Sequence, residues 1–228
     1  MTPGPTGGGQ LLLAFPRIDP AQRPLIESGP YASAIAAMRR WRSWPDGQLA
    51  ITGEAFAGKT RILNLWAAEA GAAIATGEAL AQADMAEIAS LSVSALAIDD
   101  VDLSANGAGL LSALNLCRDR RAPLLLAGRG PPGGWSAQPP DLCSRLRAMP
   151  VAEIGPPDDE TLALRLEEEC ARRHLTLPAE SIAYLSQRME RSWKAVGLVA
   201  DQIEGTPGRG FTLRSARAVL AALGLNEP

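Results

Sequence analysis

The octapeptide Gly53-Glu-Ala-Phe-Ala-Gly58-Lys59-Thr60 constrains the fold more than any other stretch of this chain. Before it runs Gln48–Thr52, a short candidate strand. After it, Thr60–Gly71 carries Ile62, Leu63, Leu65 and Trp66 at helical spacing. Strand, glycine loop and helix, in that order, let main-chain N–H groups curl around phosphate oxygens without Cβ clashes. The helix N-terminus adds a favourable field for the anion. Gly53, Glu54, Ala55, Phe56, Ala57 and Gly58 form the cradle, and Lys59 faces the β and γ phosphates. The Thr60 hydroxyl is placed to hold Mg²⁺, and Arg61 continues the binding segment into the helix. Only two of the 22 basic residues are lysines, Lys59 and Lys194, so a lysine at this position is not a matter of abundance.

A second acidic element follows at the distance a phosphate loop requires. Leu91–Ile98 is a nearly continuous run of small apolar residues ending in Asp99-Asp100, as expected of a parallel strand covered on both faces. Asp99 is the candidate for the Mg²⁺ shell, and Asp100 for orienting or deprotonating an attacking water. Gly109–Arg118 and Leu142–Arg147 read as helices, and Pro123–Ala127 and Val151–Ile154 as further strands. Tyr31–Trp44 has the helical spacing of Ile35, Met38 and Trp41. Strands alternating with helices define an α/β core with a mostly parallel sheet. Past Pro156-Pro157 the pattern turns helical, with helices expected at about 158–174, 178–188, 191–203 and 215–223. Three segments are therefore expected: a flexible tail over 1–20, a nucleotide-binding α/β domain over 21–156, and a small all-helical lid domain over 157–228.

Composition removes several classes of function. The net charge of −3 opposes a bulk electrostatic hold on nucleic acid, although arginines cluster at 39–42 and 118–121. Cys117, Cys143 and Cys170 lack metal-ligand spacing and read as core residues of a reducing compartment. One histidine, His174, excludes a multi-histidine zinc site. The apolar stretch Leu11–Phe15 is too short to span a bilayer, and no cationic segment precedes it, so a cytoplasmic protein is expected.

The acidic pair Asp99-Asp100, the segment Pro140-Asp-Leu-Cys-Ser-Arg-Leu146 and the helical second domain together resemble the AAA+ core of the DnaA family of replication initiators. The resemblance covers about residues 20–225 and is nearest to the short, Hda-like members, which act in regulatory inactivation of DnaA. It implies ADP or ATP with Mg²⁺ as cofactors. It implies that Arg145, in the Ser-Arg-Leu box, is an arginine finger completing a neighbouring subunit's site. It aligns Arg191-Ser-Trp-Lys194-Ala-Val with the sensor II motif, where Lys194 replaces the usual arginine and Arg191 competes for the role. DnaA continues into a helix-turn-helix domain, whereas this chain ends at Pro228, so no dedicated DNA-binding domain is expected.

Two further segments bear on partners. Gln10-Leu11-Leu12-Leu13-Ala14-Phe15 resembles the clamp-binding motif of bacterial replication proteins. Gln10, Leu11, Leu13 and Phe15 are the candidate contacts to the DNA polymerase sliding clamp (its beta subunit), the other reading being a segment packed on its own core. After the strand 123–127 the DnaA family carries a polar sensor residue and an Asp-Arg-Pro-Pro run. Here the sequence is Ala127-Gly128-Arg129-Gly130-Pro131-Pro132, which predicts weak hydrolysis by this chain alone. The expected function is a nucleotide-gated adaptor joining the clamp to DnaA, with homodimerisation open and no membrane association. The alternatives are an ATP-driven helicase loader and a small-molecule kinase. The residue pattern opposes the kinase.

Overall fold

The computed structural model describes residues 26–27, 29–84, 88, 93–104, 107–135, 139–206 and 211–224. Its strands are β1 (Gln48–Thr52), β2 (Ala73–Thr76), β3 (Leu96–Asp99), β4 (Leu124–Gly128) and β5 (Val151–Glu153). They form one sheet in the order β2-β3-β4-β1-β5, and every neighbouring pair is parallel.

The strand sequences explain why both faces are covered. Leu49, Ile51, Ala97, Leu125 and Ala127 point into one apolar layer, while Ala50, Leu96, Ile98, Leu124 and Leu126 point into the other. Alternation at period two therefore puts apolar side chains on both sides, which is why these strands read as unbroken apolar runs. Helices α1 (Ala32–Arg39) and α2 (Lys59–Ala70) fill the first layer with Ile35, Met38, Ile62, Leu63 and Trp66. Helices α3 (Gly77–Gln82), α4 (Gly107–Arg120) and α5 (Pro140–Ala148) fill the second with Leu80, Leu110, Leu114, Leu142 and Leu146. Cys117 and Cys143 are buried thiols on this second side.

The C-terminal part comprises α6 (Asp159–Arg172), α7 (Ala179–Ser186), α8 (Trp193–Glu204) and α9 (Leu213–Ala222), gathered around Leu162, Leu166, Leu185, Val199 and Val219. Three of these helices begin on side-chain caps. Asp158 accepts from the Thr161 amide, Ser192 from that of Ala195, and Thr212 forms a capping box with Ser215. Each cap satisfies amide donors that the helix itself leaves unpaired. The hydrogen bonds from Thr161 also hold the Asp158 carboxyl below its usual range.

Three expectations need correction. The helix expected over 31–44 stops at Arg39, and Trp41–Ser43 tightens into a 3₁₀ turn. Pro45 disfavours helical backbone at Trp44, which is extended instead (φ −62°, ψ 136°). The strand expected over Leu91–Ile98 begins only at Leu96 and extends to Asp99, matching the four residues of β2 beside it. Residues 91–92 lie outside the described residues. Strand β2 and helix α3 were not anticipated, because Ala73-Ile-Ala-Thr76 carries too little apolar signal to stand out. Among the described residues, no helix is long and apolar enough to cross a membrane.

Candidate functional site

The parallel sheet brings its C-terminal strand ends to one edge, where open α/β sheets bind ligands. β1 runs into the loop 53–58 and β3 into Asp99-Asp100. β4 lies between them and runs into Arg129.

The phosphate loop has the backbone its glycines allow. Gly58 sits at φ +88° and serves as N-cap of α2, a conformation costly for any side chain. Phe56 also has positive φ (+66°), uncommon for a bulky residue, and its ring is exposed at the loop tip. At Gly53 a Cβ would lie 3.2 Å from Ile154 and 3.3 Å from Ala57, so the loop closes tightly on its own base. Lys59 is only 6% exposed, and its Nζ donates to the carbonyls of Gly53 (3.1 Å) and Glu54 (2.8 Å). Burial pushes the Lys59 ammonium below its ordinary range, while Asp102, Asp99 and Asp100 pull it back up. A buried cation resting on two carbonyls beside a glycine loop would suit an anion.

The residues assigned to Mg²⁺ meet. The Thr60 side chain hydrogen bonds to the buried Asp99 carboxylate, whose other near contact is the Asp100 amide, 3.0 Å from Oδ1. Burial raises the Asp99 carboxyl above its usual range, and the Thr60 bond opposes the shift. A hydroxyl and a carboxylate beside Lys59 are oxygen donors that would suit a hard divalent cation such as Mg²⁺. Asp100 is exposed, with positive φ (+49°), directly after the strand end.

The loop after β4 was only partly legible. A Cβ at Gly128 would fall 2.7 Å from the Trp135 indole, so the ring closes the position to any side chain. The Trp135 Nε1–H donates to the Arg129 carbonyl at 2.7 Å. Asp102 accepts from both the Arg129 amide (2.9 Å) and its Nε (2.7 Å). That bond raises the Arg129 guanidinium above its ordinary range. Gly128 itself is thus closed to a polar side chain, and Arg129 is the polar residue that leaves this strand end.

A cleft on the other side of the loop was not anticipated. Ile26, Tyr31, Gly58, Arg61 and Arg165 line it. Tyr31 Oη and Arg165 Nε are buried there without a hydrogen-bond partner among the described residues, although such atoms are ordinarily paired. Arg61 reaches across to the lid, donating to both oxygens of Glu168 (3.0 and 2.9 Å), and Arg165 shares the same carboxylate. The Tyr31 ring lies 5.2 Å from Trp193, whose Nε1–H donates to the Gly155 carbonyl at 3.2 Å. Lys194 follows Trp193 in the first turn of α8 and is exposed. Arg191, its competitor for the sensor role, pairs with Asp159 at 2.9 Å.

Burial also pushes the Tyr31 phenol up to about 12, from an ordinary value near 10. The folded value lies above the unfolded one, so this contribution to stability is complete below about pH 10 and disappears as pH rises towards 12. Tyr31→Phe should therefore lose less stability than the wild type between pH 8 and 11.5 in urea unfolding. The buried thiols Cys117 and Cys170 are raised to about 12 and 11 and affect both proteins alike. Equal losses in both would reject this environment for Tyr31.

Arg145, on α5, bonds to Asp141 (2.8 Å) and to Asn115 of α4 (2.8 Å), not to the phosphate loop. Gln10, Leu11, Leu13 and Phe15 lie outside the described residues.

The phosphate loop after β1, the acidic pair after β3 and the four C-terminal helices, tied to α2 through Arg61–Glu168, make a P-loop α/β core with a helical lid. Domain III of the Thermotoga maritima replication initiation protein DnaA is similar to this chain, with a TM-score of 0.68 at 21% identity over 88% of this chain and 94% of that one. AMPPCP-bound DnaA from Aquifex aeolicus is also similar (TM-score 0.61, 19% identity, 79% of this chain and 63% of that one). So is the Thermotoga maritima RuvB Holliday junction branch migration motor (TM-score 0.60, 16% identity, 87% and 70%). At these identities the likeness is one of fold. No protein-family model matches the chain, and no curated protein matches it.

Proposed function

We propose that this chain is an adenine-nucleotide-binding regulator of bacterial replication initiation. In this reading it binds the sliding clamp through Gln10–Phe15 and promotes hydrolysis of DnaA-bound ATP, which inactivates DnaA. The carrying observation is the contrast between the two sides of β4. Toward β1 lies a complete anion receptor built on Lys59, and toward β3 lies the Thr60–Asp99 pair. At Gly128, the last residue of β4, Trp135 leaves no room for a polar side chain. A chain equipped to hold a nucleotide but poorly equipped to cleave it suits a switch better than a motor. The similarity of fold to DnaA, one structure of which is bound to AMPPCP, supports the adenine and replication parts of the reading.

Residues 53–61 hold the phosphates in this scheme, Thr60 and Asp99 the Mg²⁺, and Lys194 approaches from the lid. Bound Mg²⁺ supplies charge neutralisation of the phosphate oxygens. Asp100 is the group available to orient water, and without a polar partner across the site its effect stays small. Arg145 acts on the neighbouring DnaA subunit. The sealed Gly128 counts against an ATP-driven helicase loader, which depends on its own turnover.

The direct test is clamp-dependent hydrolysis of ATP by DnaA with and without this protein. Stimulation that requires both clamp and chain is the expected outcome, and no stimulation removes the reading. The tether is tested separately. Replacing Gln10 and Phe15 together by alanine should abolish retention on immobilised clamp, whereas undiminished retention would place the contact elsewhere.

A further inference from the structure

The four lid helices carry their charge unevenly. α6 holds Asp159, Glu160, Glu167, Glu168 and Glu169, whereas α9 holds Arg214 and Arg217 and no carboxylate. The whole stretch 205–226 contains neither Asp nor Glu, in a chain whose net charge is −3. α6 reaches the core through Glu168 and Arg61, while α9 packs on α7 and α8.

The lid's arginines divide in the same way. Arg165, Arg172, Arg173 and Arg191 each sit on a carboxylate. Arg214 and Arg217 make no hydrogen bond or ion pair among the described residues. Arg217 instead approaches the Tyr184 ring of α7, 5.8 Å from its centroid, and Arg188 lies over the same ring at 4.1 Å. Two guanidiniums thus share one aromatic ring. Like charges gathered in this way are relieved by an anion from outside.

The rest of the flank narrows what that anion is. Arg214, Arg217, Ala218 and Ala221 recur at helical spacing on the exposed side of α9, while Ala216, Val219 and Leu220 turn into the lid core. Among the described residues, no large apolar side chain exposed on this molecule lies on α7 or α9. A bound peptide or a bilayer surface would use such anchors. An unpaired base would have to stack on Tyr184, where the Arg188 guanidinium already lies. A small-residue flank with three arginines suits phosphates. The other arginine clusters are less suited, since Arg39, Arg42 and Arg118 already face Glu27, Glu69 and Asp119.

We infer that the α7–α9 flank of the lid is an auxiliary contact for the phosphate backbone of duplex nucleic acid, made by Arg188, Arg214 and Arg217. It is separate from the nucleotide site and goes beyond the reading above. Contacts to phosphate position a duplex without reading its sequence. Three of them give a weak hold, in the range of about 10⁻⁴–10⁻⁶ M, with log K falling on log salt at a slope of about −2.7.

Fluorescence anisotropy of a short labelled duplex, titrated with the full chain and without nucleotide, tests this. Raising salt from about 50 to about 200 mM should weaken binding about fortyfold. Arg214→Gln, which disturbs no ring contact, should make the slope shallower by about one. Replacing Arg188, Arg214 and Arg217 together by glutamine should remove saturable binding at the lower salt. Arg40→Gln combined with Arg121→Gln should leave the affinity within twofold of wild type. Absence of saturation by the wild type at the lower salt overturns the inference. So does a wild-type slope in both Arg214→Gln and the triple variant, or loss of binding in the Arg40/Arg121 variant. A tighter hold on a single strand than on the duplex, or equal competition by poly-glutamate, reassigns the flank and equally overturns it. None of these outcomes touches the nucleotide reading, because nucleotide is absent throughout.

Discussion

Lys59→Met is expected to weaken binding of ATP and ADP by about two orders of magnitude. The Lys59 ammonium is buried against two carbonyls, and that burial already disfavours its charge. An incoming phosphate replaces the carbonyl dipoles with full negative charge and converts a poorly matched cation into a matched one. Charge-assisted hydrogen bonds to such a group contribute about 1.5–3 kcal/mol each, and one or two of them account for the loss. Methionine keeps most of the aliphatic stem and removes the buried charge, so the fold should stay intact. Calorimetry with each nucleotide and Mg²⁺, alongside urea unfolding, checks both halves. Affinities within threefold of wild type in a folded variant would mean that the loop does not receive phosphate.

Arg145→Ala is expected to lower the stimulation of hydrolysis on DnaA by about a thousandfold while leaving clamp retention unchanged. A guanidinium supplied from outside stabilises charge on the transferred phosphoryl group, and alanine removes that contribution outright. The present partners of Arg145 do not prevent this role. Asp141 is exposed, and such surface pairs are worth about 0–1 kcal/mol, so an anion in a partner's site can draw the side chain away. Retained stimulation by a folded variant would reject Arg145 as the finger and turn attention to neighbouring arginines such as Arg147.

What the amino-acid sequence disclosed depended on how local each interaction is. The loop 53–60 was legible because glycine, lysine and threonine act there within one turn of chain. β4 was legible because Leu124–Leu126 are apolar on both faces. The cleft was not. Tyr31 meets Trp193, and Arg61 meets Glu168, across more than a hundred residues of intervening chain. Nothing in the immediate surroundings of Tyr31 distinguishes it from an ordinary residue at a helix start. Gly128 was noticed as a departure from the DnaA family pattern, yet its cause is Trp135, seven residues later in a Pro- and Gly-rich stretch. Arg129 was passed over because its partner, Asp102, belongs to a different strand end.

Two side-chain contacts join the helical lid to the phosphate-loop side of the core: the Arg61–Glu168 ion pair, which starts from α2, and Trp193 against Tyr31. Arg61 follows directly on the loop residues 53–60. A ligand that shifted the first turn of α2 would therefore tug on the four C-terminal helices through these contacts, not only through the connecting chain.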